Sequence, residues 1–126
     1  MNKIKDHIAG EGLSTLIIDR EDIRREGHAH SFYRIKGFDT SDNPSAESAK
    51  GYRSSFSSLP LVFQTAPPVD GVANGVTIEA LLAVCADRLR QFQEGPFASP
   101  HNQQALGDIE QALSTLHERT RERNSK

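Results

Sequence analysis

The sequence predicts an α+β protein, with a small N-terminal antiparallel β-sheet followed by a C-terminal antiparallel helical hairpin. Three observations carry that expectation. Before about Asp70, short apolar runs rich in β-branched residues alternate with polar turns. Beyond it the apolar residues recur with helical spacing. The breakers Gly95-Pro96 and Ser99-Pro100 then divide that second half where one helix should end and another begin. Residues 1–70 are thus expected to form the sheet region with a serine-rich loop, and residues 71–126 the hairpin, the two packed as one compact unit.

Three strands are expected, at Leu13–Ile18, Phe32–Phe38 and Leu61–Thr65, each too short for a helix. Between the last two, Asp39 to Ser58 holds seven serines, Pro44 and Gly51 without periodicity, which reads as a long surface loop. After Pro67-Pro68 and the turn-like Asn74-Gly75, the residues Ile78, Leu81, Leu82, Cys85, Leu89 and Phe92 fall within about 100° of one another on a helical wheel. They predict a helix from Thr77, a plausible N-cap, to Gln93, with Cys85 as a small core residue. The second helix opens on Ser99 as N-cap with Pro100 at the first helical position, and its stripe is Ala105, Ile109, Ala112, Leu113 and Leu116. A connection this short folds the helices back on each other. Two helices with one apolar stripe each bury too little to stand alone, so the strands or a second copy must complete them, and a homodimer or higher homo-oligomer is expected.

With 126 residues there is room for one domain or one with an appendage. The 36% hydrophobic and 25% charged residues are those of an ordinary globular chain. A formal net charge of -2 argues against a DNA or RNA polymer as partner. The start, Met1 to His7, has no signal-peptide apolar region, and no run reaches the roughly 20 residues that span a bilayer, so no membrane partner is expected. The single cysteine excludes an internal disulfide and suits a reducing cytosol.

Few residues suggest chemistry. In Glu118-Arg119-Thr120-Arg121-Glu122-Arg123, taking Ile109 as zero, Arg119 falls near about -80° and Arg123 near about -40°, beside the apolar stripe, while Arg121 falls near about +120°. Arginines on an apolar face call for an acidic neighbour or a bound anion such as phosphate. The alternative is favourable placement at a helix C-terminus, with Glu118 and Glu122 as local partners. Phe92 could stack on a base or be core. Asn102 could contact a polar ligand edge or merely cap its helix. His28-Ala29-His30 has the spacing of a metal dyad on a strand but no evident third ligand, so no metal or cofactor is expected. No nucleotide-binding loop, nucleophile elbow or zinc-helix motif is present, and the chain is not expected to be an enzyme.

From Leu61 to Arg123 the chain resembles a phage signal-sponge family that includes the Thoeris anti-defence proteins and shares a helical hairpin with anti-CBASS sponges. The stretches that carry this are Val62-Phe63-Gln64, Asn74-Gly75-Val76-Thr77-Ile78-Glu79, Asp87-Arg88-Leu89 with Phe92-Gln93, Gly95-Pro96-Phe97, Asn102 with Ala105-Leu106, and Ala112-Leu113 leading to Arg119-Thr120 and Arg123. Thr65-Ala66-Pro67 departs from the turn usual in similar proteins. The resemblance implies a small sheet before the hairpin, an oligomer, and sequestration of a cyclic nucleotide-type immune signal without cleavage in the host bacterial cytosol. The implied ligand is a cyclic ADP-ribose isomer, glycocyclic ADP-ribose first, or a cyclic di- or trinucleotide. The implied contacts are Phe92, Asn102, Arg119 and Arg123. An enzyme degrading the same signal, or a purely structural oligomerisation module, are the alternatives.

Overall fold

The computed structural model describes residues 2–9, 15–21, 28–49, 57–67 and 70–125. The chain divides into two compact units, Met1–Gly75 and Val76–Lys126. As expected, the fold is α+β, an antiparallel sheet followed by a helical hairpin.

Among the described residues the first unit holds a four-stranded sheet in the order β1-β2-β3-β4, with β1 at Asn2–Ile4, β2 at Ile17–Arg20, β3 at Phe32–Lys36 and β4 at Ser58–Val62. The strand expected at Leu13–Ile18 is observed at Ile17–Arg20, and Leu13 and Ser14 lie outside the described residues. The strand expected at Leu61–Thr65 instead starts at Ser58, upstream of a proline. Pro60 is tolerated because β4 ends the sheet order, so its missing N–H costs no ladder bond on that side. The serine-rich stretch contains a 3-10 helix at Pro44–Ala49, and residues 50–56 of it lie outside the described residues.

A short polar strand, Asn2-Lys3-Ile4, escapes periodicity arguments altogether. Its place is marked by charge: Lys3 sits opposite Asp19 in the β1–β2 register. Asp19 is only 3% exposed, and its two carboxylate oxygens accept from Lys3 and from Lys36, the latter at 3.0 Å. Gly37 ends β3 with a φ of 91°; a Cβ there would lie 1.9 Å from the Thr15 carbonyl oxygen. Past β4, Asn74 clasps the following turn, accepting from the Thr65 N–H and donating to its hydroxyl, both at 3.1 Å.

In the second unit α1 runs Ile78–Gln93 and α2 runs Pro100–Asn124. Both starts follow the capping chemistry. Thr77 Oγ1 accepts from the Ala80 N–H at 3.1 Å, and Ser99 Oγ from the Asn102 N–H at 3.0 Å, with Pro100 in the first turn. Cross-helix pairs show the antiparallel register: Gln93 with Gln103 at 3.3 Å, Arg90 with Glu110 at 3.4 Å, and Glu79 with Arg119 at 3.6 Å.

Two details of the expected core are corrected. Cys85 is exposed, and Ala86, fully buried, takes the interior position. The line of α1 facing α2 runs through Leu82, Ala86, Leu89 and Gln93, and Cys85 is rotated about 100° from Ala86. On α2 the most buried residue is Leu106, 6% exposed, one position beyond the Ala105 of the expected stripe.

Candidate functional site

The four residues singled out from the sequence all lie on the hairpin, in two groups. Phe92 and Asn102 flank the turn that joins the helices; Arg119 and Arg123 lie near the far end of α2. The 17 positions between Asn102 and Arg119 correspond to about 25 Å along a helix, so one hairpin does not bring the four together.

Phe92, Arg119 and Arg123 do share a side. Seven-residue spacing places Ile78, Cys85 and Phe92 along one flank of α1, about 100° from the Ala86 contact line, and Ala105, Ala112 and Arg119 along a flank of α2 rotated by about the same angle from Leu106. Because the helices run antiparallel, equal senses of rotation fall on the same side of the pair. The opposite flank shows the rule, since Arg90 and Glu110, both turned the other way, meet there. The first flank is apolar or small until it reaches the arginines, and it is open: Ile78 is 49% exposed and Cys85 is exposed.

The arginines are sorted by their partners. Arg121 binds the Glu118 carboxylate within its own helix, so the local partner foreseen for the site arginines is taken by the one pointing elsewhere. Arg119 remains half exposed, with Nη2 3.6 Å from Glu79 Oε1 across the hairpin. Among the described residues, Arg123 Nη2 reaches a neutral acceptor, Thr120 Oγ1, at 3.4 Å. Arg119 thus has the acidic neighbour that its position calls for, while retaining guanidinium surface for an anion.

At the other end, Phe92 meets Phe97 with ring centroids 6.3 Å apart at 75°, and the Arg88 guanidinium lies 5.1 Å from the Phe92 centroid. Asn102 uses its backbone N–H on the Ser99 cap and its side-chain Nδ2 on the Phe97 carbonyl, at 3.2 Å. Glu79, Arg88 and Phe97 are neighbours that sequence reasoning did not count among the site residues. The Gly95-Pro96-Phe97 break was the available signal for the last.

His28-Ala29-His30 lies before β3, outside any strand, so the alternation that would align two imidazoles does not apply. The His30 Nδ1 is 3.9 Å from Glu21 Oε1. Among the described residues no group of three His, Cys, Asp or Glu side chains is placed to hold a metal ion. No helix of the described residues is long and apolar enough to cross a membrane.

Residues 60–121 match the family of the Acb2/Tad1 hairpin domain. The hairpin of this chain is similar to that family's domain. The match takes in α1, the turn and most of α2, and with them Phe92, Asn102 and Arg119, while Arg123 lies just beyond it. The chain is also 39% identical over 64 residues to a protein named Thoeris anti-defense 1 from Bacillus phage SBSphiJ7. That alignment covers 51% of this chain and 45% of the relative, so the chain spans under half of the relative's length. The matched stretch holds both helices, whereas β1 to β3 lie outside it.

Proposed function

We propose that this protein is a phage anti-defence sponge, acting in the host bacterial cytosol, that binds a cyclic nucleotide-type immune signal and holds it without cleaving it. The observation that carries the reading is the shared flank of the hairpin, apolar along its length, with an aromatic cluster at one end and two guanidinium groups at the other. Glycocyclic ADP-ribose is the foremost ligand, with cyclic di- and trinucleotides next. Its phosphates would be gripped by Arg119 and Arg123 through charge-assisted, partly bidentate hydrogen bonds. Phe92 would stack on the purine, and Asn102 would offer its remaining amide capacity to a polar edge.

Since about 25 Å of helix separates the two groups, a second copy is needed to complete the pocket, with Arg119 of one chain near Phe92 of another. The uncovered apolar flank is the surface that supports such pairing. A sponge competes by stoichiometry, so it needs tight binding and slow release.

Native mass spectrometry against a panel of cyclic ADP-ribose isomers and cyclic oligonucleotides tests the proposal. One member should remain bound and be recovered chemically unchanged after heat denaturation. A hydrolysed or linearised product, absent without protein, would replace the sponge by an enzyme. Failure of every member to bind would leave only a structural hairpin.

A further inference from the structure

The turn between the helices displays an aromatic ring that the four residues above do not account for. Phe97 is 73% exposed, more than any other large apolar side chain among the described residues. Leaving such a ring in water forgoes the hydrophobic gain of burying it. Yet its backbone is well tethered. Asn102 Nδ2 donates to its carbonyl at 3.2 Å, the Ala98 N–H to Gly95 at 3.3 Å, and the Ser99 N–H to Gln93 Oε1 at 3.0 Å. The neighbouring Phe92 is only partly exposed, and the Arg88 guanidinium sits over its ring. Of the two rings, Phe97 therefore presents the larger open π-surface, and the 75° between them makes a corner suited to a flat molecule, face on one ring and edge toward the other.

We infer that Phe97 is a second base-stacking contact of the ligand site, and that Asn102 serves there as a positioning residue that holds the Phe97 backbone. The ligand class is a planar purine carried on a phosphate-bearing molecule. This rests on the sponge reading and adds a residue that recognises the base, separate from the arginines that recognise phosphate.

The chain contains no tryptophan, so Phe97→Trp introduces a sole indole reporter. Titrating that variant with glycocyclic ADP-ribose should quench the indole in step with heat released in calorimetry. Phe97→Leu should weaken the same probe by about 10-fold or more, a typical loss for one stacked base. Its affinity for inorganic diphosphate, which has no base, should be unchanged, as should its mass by light scattering. Asn102→Ala should weaken the cyclic probe in the native background and cost less on top of Phe97→Leu than it does alone, because the part of its effect that runs through Phe97 is already lost there. Tight binding by calorimetry with a silent indole, together with an unaffected Phe97→Leu, would overturn the inference and leave the sponge reading intact. Dissociation of the oligomer by Phe97→Leu would also overturn it, making the ring a subunit contact. Absence of binding to the native chain would bring down both.

Discussion

Arg119 Nη2 lies 3.6 Å from Oε1 of Glu79, joining the C-terminal part of α2 to the first turn of α1. The pair ties the open end of the hairpin together while leaving Arg119 half exposed, so the same guanidinium serves the fold and remains available to an anion. An exposed pair of this kind contributes about 0–1 kcal/mol to stability. A charge-assisted phosphate contact contributes about 1.5–3 kcal/mol to binding, a 10- to 150-fold effect on affinity.

Arg119→Ala and Arg123→Ala are therefore expected to weaken ligand binding by at least about 10-fold, with only a small fall in melting temperature. Arg121→Ala, whose guanidinium is held by Glu118, should bind like the native chain. Calorimetric titration and melting curves on the same samples check this. Equal affinities across the three would sink the phosphate assignment.

Glu79→Gln should separate the two roles of Arg119. Removing the competing carboxylate frees the guanidinium, so affinity should rise by a few-fold while stability falls by no more than about 1 kcal/mol. A drop in affinity comparable with that of Arg119→Ala would mean that the ion pair, and not the free guanidinium, is what the ligand requires.

The sheet should carry an acid-sensitive contact. Hydrogen bonds from Lys3 and then Lys36, reinforced by their charges and opposed by burial, lower the Asp19 carboxyl from 3.8 to about 2. Because the folded value lies below the unfolded one, the contribution is complete above about pH 4 and disappears as pH falls toward 2. Urea unfolding measured across that window should lose this component in Asp19→Asn. An unchanged slope in the variant would assign the acid sensitivity elsewhere.

Gly37→Ala should destabilise the sheet unit by about 2 kcal/mol or more, combining a left-handed backbone with a Cβ driven into the Thr15 carbonyl. The denaturation midpoint of the sheet's signal is the readout, and a neutral substitution would contradict the observed approach.

The open flank predicts association. At micromolar concentration the protein should be at least a dimer by light scattering, and Cys85→Arg, which places a charge in the middle of that flank, should shift the mass downward. A native chain that scatters as a stable monomer would remove the pocket between subunits.

The helical hairpin was legible because its signals are local. Thr77 and Ser99 each cap with an oxygen three residues before the N–H they bind, Pro100 can begin a helix and not continue one, and the apolar spacing belongs to single segments. The strands were less legible. Ser58 to Val62 reads as a strand only once β4 is known to end the sheet, where Pro60 is harmless. Asn2-Lys3-Ile4 has no apolar pattern, and it pairs where Lys3 meets Asp19.

The sequence by itself determined that a sheet precedes a helical hairpin, both helix starts, and the angular separation of Arg119 and Arg123 from Arg121, all consequences of covalent spacing and a fixed helical period. Only the tertiary structure decided which neighbours those residues meet. The antiparallel register brings Glu79 to Arg119 and Arg90 to Glu110, and the fold of the turn holds Phe97 out beside Phe92. Rotation about the helix axis likewise decided that Ala86 faces α2 while Cys85 looks outward. Such pairings depend on how far one helix slides and turns against the other. That is set by side-chain packing over the whole contact and by the turn's geometry, which no short window of residues contains.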